Sequence, residues 1–345
     1  MHKVAADIGY GYVKVISEGG GRTIFPSAVT PAPGSGDLAA ALGGGPVRHR
    51  LSLQLAAGPA PSEYLVGSVA LTAGASRSWV ASGAGREDYL LLVLAALAAT
   101  GAEGRVELAL GLPLSLYLAR DERRALRDRV TDLAAWCSWD GSDARRLEVA
   151  SVRIMPQAAG AYYTALLGPD GGRLAGQLVG VIDVGYRTTD YLLLTPSEGG
   201  AALPDEARSG SVEAGMSQVI DAVRADVSAR SGVPFSPPEG MVETTLENGG
   251  RLTVRGRTVD LRPTYDNAVR SLSGRIEAEI RRAWGERIDY LSALLIAGGG
   301  GAAITARMVL PAARLVPDPT FANAAGFLAM LSGAQSRLQS GAPVR

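Results

Sequence analysis

The sequence DIGYGYVK occupies residues 7–14, and DVGYRTTD, which has the same character, occupies residues 183–190. Each stretch follows a run of apolar residues and precedes another, so both predict two β-strands joined by a turn that contains glycine. An aspartate, Asp7 or Asp183, stands at the head of each turn. Because one strand–turn–strand unit recurs near the start of each half of the chain, the sequence predicts two related domains.

Glycine turns of this kind can do more than reverse the chain. Taken alone, an Asp-x-Gly sequence is usually only a turn, but two glycine hairpins can present backbone N–H groups to an anion such as a di- or triphosphate. The aspartates would repel phosphate unless a cation joined them to it, and Mg²⁺ binds one or two carboxylates together with phosphate oxygens. Lys14, one of only two lysines in the chain, can add a positive charge at the phosphates.

The composition argues against several other classes of function. Of the 345 residues, 34 are basic and 34 acidic, and a formal net charge of +0 argues against direct binding of nucleic acid. The single cysteine, Cys137, excludes a disulfide framework and cysteine-ligated metal centres, and it favours a reducing cytoplasm. The two histidines, His2 and His49, leave little for His-metal or Ser-His-Asp chemistry. The longest apolar run, residues 89–99, is too short to span a membrane, so we expect a soluble cytoplasmic protein.

Other well-known nucleotide and nucleophile motifs are absent or poorly matched. Neither lysine follows a glycine, so the sequence has no P-loop, and it has no Gly-x-Ser-x-Gly nucleophile elbow. The sequence GGGGAA at residues 298–303 follows an apolar strand and fits a dinucleotide fingerprint, but too few residues follow it to complete a Rossmann domain. A dinucleotide-binding domain is therefore an unfavourable interpretation.

The distribution of strands and helices predicts two lobes, residues 1–170 and residues 171–345. Residues 30–85 are rich in Gly, Pro, Ala and Ser, and they predict a small subdomain of the first lobe. A second small subdomain is expected over residues 219–288.

Two amphipathic helices are predicted from the spacing of charged and apolar residues. Charged residues recur at helical spacing over residues 121–136. Residues 265–284 predict a longer helix, in which Leu272, Ile276 and Ile280 lie on one face.

Five short motifs, taken in their order along the chain, resemble those of the actin-like ATPases, the superfamily of actin, sugar kinases and heat-shock chaperones. The two hairpins resemble its two phosphate loops. Three further motifs resemble its first connecting helix, its adenosine loop and its second connecting helix, and they lie at residues 156–161, 298–300 and 323–326, respectively. The sequences FPS at residues 25–27 and GLP at residues 111–113 further resemble ParM-type plasmid-segregation actins and their archaeal relatives.

This resemblance implies an α/β fold of the actin-like ATPase type, with two related, ribonuclease H-like lobes and a nucleotide cleft between them. It implies that Asp7 and Asp183 hold a hydrated Mg²⁺ ion and that Gln157 positions the attacking water, so that these three residues form the catalytic set. The nucleotide-binding positions that it implies are Gly9, Tyr10, Gly11, Tyr12, Lys14, Gly185, Tyr186, Arg187, Thr188, Gly215, Gln218, Gly298, Gly299 and Gly300.

Several of these positions have a second interpretation. Gln157 could instead bind the backbone at the start of a helix. The second loop carries the bulky Tyr186 and Arg187 where many relatives have glycine, and Arg187 could contact phosphate or point to solvent. Gly215 and Gln218 would lie near the ribose or base.

The implied function is that of an ATPase, with GTP also possible, whose slow, Mg²⁺-dependent hydrolysis is coupled to polymerisation into actin-like filaments. The associated task would be plasmid or DNA segregation, with DNA reached through a DNA-binding adaptor protein. Two alternatives stay open. One is a nucleotide-binding scaffold of the cell-division or pilus-assembly type, without filament dynamics. The other is a small-molecule kinase, for which the sequence shows no convincing general-base carboxylate.

Overall fold

The computed structural model describes residues 1–32, 49–55, 61–77, 85–169, 171–197, 202–238 and 240–333. The chain divides into two compact units. The first comprises Met1–Leu112 and Leu116–Met155, and the second comprises Pro113–Ser115 and Pro156–Arg345. Parts of the glycine- and proline-rich subdomain expected over residues 30–85 lie outside the described residues.

The first unit is built on a sheet to which the described residues contribute nine strands. These strands are β1 (His2–Ile8), β2 (Tyr12–Ser17), β3 (Arg22–Pro26), β4 (Val29–Pro31), β5 (Arg50–Leu55), β6 (Ser62–Val66), β7 (Gly104–Leu112), β8 (Ala134–Trp139) and β9 (Arg145–Pro156). Their order in space is β3-β2-β1-β7-β9-β8-β5-β6-β4. β1 and β2 form the first predicted hairpin, and β1 runs parallel to β7.

Helices cover the sheet of the first unit. The helices in this part of the chain are α1 (Ser68–Thr72), α2 (Gly85–Ala99), α3 (Leu114–Leu118) and α4 (Arg120–Val130). α2 is apolar on nearly every side, and Leu92 and Val93 belong to the same buried cluster as Val4 of β1 and Val106 of β7. This burial of apolar side chains holds β1 of the first hairpin against α2.

The predicted helix over residues 121–136 was wrong in its last part. α4 ends at Val130, and the following residues form β8. Along β8, Ala135 and Cys137 are buried while Trp136 between them is exposed, which is the two-residue alternation of a strand. β8 pairs with both β5 and β9, so hydrogen bonding to other strands overrides the local helical pattern.

The second unit has a central sheet and a separate hairpin. Its strands are β10 (Val179–Val184), β11 (Thr189–Pro196), β12 (Ala202–Pro204), β13 (Gly210–Val212), β14 (Arg251–Val254), β15 (Arg257–Asp260), β16 (Ala293–Ala297) and β17 (Ala313–Leu315). The central sheet has the order β12-β11-β10-β16-β17, with β13 also paired to β11, and β14 pairs only with β15 in the described residues. β10 and β11 form the second predicted hairpin.

The helices of the second unit pack on this sheet. They are α5 (Ala159–Leu167), α6 (Gly171–Leu174), α7 (Met216–Ser231), α8 (Met241–Glu247), α9 (Arg262–Trp284), α10 (Gly301–Thr305) and α11 (Ala322–Leu331), and short 3₁₀ helices span Glu206–Arg208 and Gly285–Tyr290. The predicted stripe on α9 is confirmed, because Leu272, Ile276 and Ile280 are buried in one cluster with Ile182 of β10 and Ile296 of β16. In the part of the chain that the structure describes, no helix has both the length and the apolar character needed to cross a membrane.

Two helices of the second unit, α5 and α11, touch backbone to backbone. A Cβ atom on Gly160 of α5 would lie 2.5 Å from the carbonyl oxygen of Asn323, and a Cβ atom on Gly326 of α11 would overlap the carbonyl group of Gly160. The hydroxyl of Thr164 also donates a hydrogen bond to the Ala322 carbonyl oxygen at 2.6 Å. Both glycines are therefore required by this close approach, which fixes the start of α11 against the start of α5.

We expect Gly326→Ala to lower the free energy of unfolding by about 1–3 kcal/mol, because the added methyl group forces the two helices apart. Gly274→Ala is the matched control. Gly274 lies on the exposed face of α9 with nothing within 4 Å of an added Cβ, and alanine there removes the cost of glycine in a helix. Urea unfolding of both variants measures the difference, and equal stability of the two would contradict the close contact.

Candidate functional site

The turn of the first hairpin is closed on itself and held by one serine. The N–H of Gly9 donates to the carbonyl oxygen of Tyr12 at 3.1 Å. The Ser27 hydroxyl donates to the carbonyl oxygen of Gly9 at 2.6 Å, and the Ser27 N–H donates to the carbonyl oxygen of Gly11 at 3.0 Å. Ser27, the last residue of the FPS motif, therefore fixes the peptide groups that join Gly9 to Tyr10 and Gly11 to Tyr12.

A buried ion pair stands at the head of this turn. Asp7 and Lys14 lie directly opposite each other on β1 and β2, and the Lys14 Nζ is 3.1 Å from the Asp7 Oδ2. The Asp7 side chain is 3% exposed and the Lys14 side chain is 13% exposed. Burial, together with the negative charge of Asp7, raises the pKa of the nearby Tyr89, which keeps that phenol neutral beside the ion pair.

Tyr12, at the start of β2, binds a second cation. The Arg77 guanidinium lies over the Tyr12 ring, 4.6 Å from its centroid, and donates to the Tyr12 hydroxyl at 3.2 Å. Arg77 thus stacks on an aromatic ring that the sequence had placed among the nucleotide-binding positions.

The second hairpin repeats the first turn but packs against a helix. The N–H of Gly185 donates to the carbonyl oxygen of Thr188 at 2.9 Å, as Gly9 does to Tyr12. The carbonyl oxygens of Gly185 and Tyr186 accept hydrogen bonds from Met216 and Ser217 at the start of α7. This contact explains Gly215, since a Cβ atom there would lie 2.5 Å from the Tyr186 carbonyl oxygen.

Arg187 in this turn and Gln218 on α7 both bind to Glu213. The Arg187 guanidinium is 3.4 Å from a carboxylate oxygen of Glu213, and both side chains are largely exposed. The Gln218 side chain donates to the Glu213 carbonyl oxygen at 2.9 Å and accepts from Arg275 at 2.7 Å. Arg187 and Gln218 are therefore linked through the Glu213 position.

Asp183 heads the second turn, and the glycine-rich loop at residues 298–300 lies against it. Gly298 has φ +86°, and a Cβ atom there would overlap the Asp183 Oδ1. The N–H of Gly300 donates to the Val184 carbonyl oxygen at 3.0 Å, and a Cβ on Gly300 would lie 2.7 Å from the Met216 side chain. The backbone thus approaches the carboxylate and α7 so closely that side chains at 298 and 300 are excluded, while Gly299 has open space around it.

Asp183 also reaches the start of α5 through an asparagine. The Asn323 Nδ2 donates to the Asp183 Oδ2 at 2.6 Å, and the Asn323 Oδ1 accepts from the N–H groups of Ala158 and Ala161 at 3.1 and 3.2 Å. Gln157, which is buried, immediately precedes Ala158. Three of the predicted motifs, at residues 156–161, 183–190 and 323–326, therefore meet at one buried asparagine.

A second buried carboxylate, which the sequence did not single out as functional, lies opposite Asp183. Asp190 occupies the place on β11 that Lys14 occupies on β2. Its oxygens accept from the Leu114 N–H at 3.0 Å and from the Ser211 hydroxyl. The two hairpins are thus alike in backbone but not in charge, because the first pairs an aspartate with a lysine and the second places two aspartates side by side.

The sequence-predicted positions fall into two groups. Asp7, Gly9, Tyr10, Gly11, Tyr12 and Lys14 lie in the first unit, and Gln157, Asp183, Gly185, Tyr186, Arg187, Thr188, Gly215, Gln218, Gly298, Gly299 and Gly300 lie in the second. Within the second group the structure brings Asp183 and Gly298 into contact, and Asn323, which is not in that group, also contacts Asp183. Asn323 and Asp190 were missed as site residues, although each stands inside a quoted motif. A polar residue within an otherwise apolar helix start was the available signal for Asn323.

The carboxylates at the heads of the turns suit a magnesium ion that keeps water molecules as most of its ligands. Among the described residues, no three His, Cys, Asp or Glu side chains form a metal-binding cluster. The Asp183 carboxylate is buried beside the glycine loop, and its Oδ1 lies close to the backbone of Gly298. Mg²⁺ usually keeps several waters and binds one or two carboxylates together with phosphate oxygens, so a carboxylate of this kind suits it.

Comparison with known proteins identifies the family. Residues 5–160 match the model of the N-terminal domain of actin-like proteins, and residues 181–309 match the model of the C-terminal domain of archaeal, MreB-like actin homologues. The chain therefore belongs to the actin-like ATPase superfamily, which confirms the resemblance drawn from its motifs.

Individual relatives agree with this assignment. The archaeal actin homolog of Thermoplasma acidophilum is 27% identical over 341 residues, which cover 95% of this chain and 98% of the relative. A 15-stranded ParM filament from Clostridium botulinum has a similar subunit, with 21% identity, a TM-score of 0.82 and coverage of 96% of this chain and 99% of that one. The ADP complex of an archaeal actin homolog has 23% identity, a TM-score of 0.73 and coverage of 96% and 100%. The predicted actin-like fold is confirmed.

We expect Lys14→Met to lower the free energy of unfolding by about 3 kcal/mol, because it removes the cation from a buried ion pair. Asp7→Asn/Lys14→Met removes both charges and is expected to cost less than the sum of the two single substitutions. A double-mutant cycle by urea unfolding measures this coupling, and strictly additive effects would show that the pair makes no energetic contact.

Proposed function

We propose that this chain is a slow, Mg²⁺-dependent ATPase that assembles into actin-like filaments. The observation that carries the proposal is the arrangement around Asp183. One buried carboxylate contacts the glycine-rich loop at residue 298 and, through Asn323, the helix start that follows Gln157. A loop without side chains can hold a nucleotide, and a carboxylate can orient a hydrated metal ion. A buried amide can position the attacking water.

Each predicted residue has a role that follows from its chemistry. When bound, Mg²⁺ neutralises phosphate charge that develops during hydrolysis. Asp7 and Asp183 would hold the waters of the metal, and Lys14 would exchange part of its contact with Asp7 for a phosphate oxygen. Gln157 would orient the attacking water through its neutral amide, which adds no charge beside the phosphate. Hydrolysis would then depend on positioning and electrostatics, without a covalent intermediate.

Adenine is the proposed base, with GTP as the other possibility to be tested. An archaeal actin homolog of the same fold has been solved in complex with ADP. Within this chain, α7 begins against the second phosphate turn, and Gln218 lies on its first turn next to the exposed Arg275. These two side chains are our candidates for contact with the ribose or base.

Self-assembly is the second part of the proposal. A ParM of similar fold has been solved as a 15-stranded filament, and the fold is shared over 96% of this chain. We propose that the filaments act in plasmid or DNA segregation in the cytoplasm. Because the formal net charge is +0, we propose that DNA is bound by a separate adaptor protein and not by this chain directly.

Gln157→Ala is expected to reduce phosphate release from ATP by about 10²-fold while leaving ATP binding within a fewfold of wild type, because only the attacking water loses its partner. Asp183→Asn is expected to raise the Mg²⁺ concentration needed for half-maximal release. Gln54→Ala and Asp289→Asn, which change no predicted site residue, are the matched controls and should behave as wild type. A wild-type chain that binds ATP but releases no phosphate would favour the scaffold alternative, and one that binds no nucleotide would refute the proposal.

Assembly is tested separately by sedimentation and electron microscopy. With ATP and Mg²⁺ the wild-type chain is expected to pellet and to form filaments, and removal of Mg²⁺ with a chelator is expected to leave it in the supernatant. Gln157→Ala should pellet at least as well as wild type, because it keeps the nucleotide unhydrolysed. A chain that stays monomeric over a wide range of salt and temperature would contradict the filament part of the proposal.

A further inference from the structure

Asn323 satisfies two different parts of the second unit with one side chain. It is 4% exposed and lies at the second position of α11. Its oxygen faces two backbone N–H groups, which only an acceptor can satisfy, and its nitrogen faces a carboxylate oxygen of Asp183, which only a donor can satisfy. The orientation of the amide is thus set by its partners on both sides.

The oxygen of Asn323 acts as the cap of a helix other than its own. The residue at the N-cap of α5, Ala158, has no side chain that can cap the helix, and it is fully buried with φ 69°. A left-handed conformation is costly for alanine and persists only where the surroundings hold it. The hydrogen bonds from Ala158 and Ala161 to Asn323 provide such a restraint, and they act on the residue immediately after Gln157.

Capping alone does not explain an asparagine at this position. An aspartate would accept from both N–H groups equally well and would be favoured by the positive end of the α5 dipole. It would, however, place a second negative charge against Asp183. Asparagine is the side chain that both caps α5 and donates to the carboxylate.

The position of Asn323 is itself fixed by the helix contact around Gly160. A Cβ atom on Gly160 would lie 2.5 Å from the Asn323 carbonyl oxygen. The backbone of Asn323 is therefore already in close contact with α5 and cannot shift toward it. Because Asn323 is held firmly, its side chain can keep the Asp183 carboxylate and the start of α5 at a fixed distance from each other.

We propose that Asn323 is a positioning residue, which keeps the Asp183 carboxylate and the backbone at Gln157 in a fixed relation for hydrolysis. The inference rests on the proposed function, since it assigns Asp183 to the metal side and Gln157 to the attacking water. Asn323 would touch neither the nucleotide nor the attacking water, and it would act through Asp183 and Gln157.

Three variants separate its two hydrogen-bonding roles. Asn323→Asp keeps the cap of α5 and loses the bond donated to Asp183, whereas Asn323→Ala loses both. Thr164→Val is the matched control, because it removes a hydrogen bond between the same two helices without touching Asp183 or Gln157. Phosphate release is measured as kcat and KM for ATP at several Mg²⁺ concentrations, and hydrogen exchange is followed over residues 157–162.

Asn323→Asp is expected to retain slow exchange at the start of α5 and to lose about tenfold or more in kcat, with a smaller change in KM. Asn323→Ala is expected to lose both the slow exchange and the activity, and Thr164→Val should stay within about twofold of wild type in kcat. Asp183→Asn/Asn323→Asp, which exchanges the two partners, should recover any thermal stability that Asn323→Asp loses.

Wild-type kcat in Asn323→Asp, in a chain that does hydrolyse ATP, would overturn this inference alone and leave Asn323 as a cap. If Asn323→Asp does not fold, the comparison of Asn323→Ala with Thr164→Val decides, and equal kcat in these two would overturn it as well. A wild-type chain without phosphate release would instead overturn the proposed function, and the catalytic part of this inference with it.

Discussion

Burial of negative charge is the constraint on which the arrangement of both hairpins depends. A carboxylate removed from water is stable only where cations or hydrogen-bond donors replace its hydration. Asp7 is satisfied by Lys14 across the hairpin, Asp183 by the amide of Asn323, and Asp190 by the Ser211 hydroxyl and a backbone N–H group. Each aspartate therefore specifies its neighbours, and for Asp183 and Asp190 these include Asn323 and the Leu114 N–H group, which lie far away along the chain.

Glycine sets the second constraint, because backbone has to come close to these carboxylates and to itself. Gly298 lies against Asp183, Gly215 lies against the second turn, and Gly160 with Gly326 lets α5 and α11 touch. These contacts leave no room for a Cβ atom, so the loop at residues 298–300 and the helix starts are positioned by hard contacts as well as by hydrogen bonds. The same lack of side chains suits a loop proposed to lie along a nucleotide.

Much of this architecture could be predicted from local sequence. Both hairpins and the buried stripe of α9 follow from periodicity and glycine turns, because those signals come from neighbouring residues. β8 was assigned in part to a helix, since its strand character comes from pairing with β9 and with β5, and β5 lies far away along the chain. The role of Asn323 was hidden for the same reason. Its partners, Asp183, Ala158 and Ala161, lie at least 140 residues away in sequence.

The central proposal is that the two acid-headed hairpins serve one magnesium-bound nucleotide. It is tested most directly by calorimetric titration of ATP into the wild type, Asp7→Asn, Asp183→Asn and the double variant, each with and without Mg²⁺. If both carboxylates act on one ion, each single substitution reduces the gain in affinity that Mg²⁺ provides, and the double substitution reduces it little further than the stronger single one. If Mg²⁺ raises the affinity for ATP as much in both single variants as in the wild type, the proposal is contradicted.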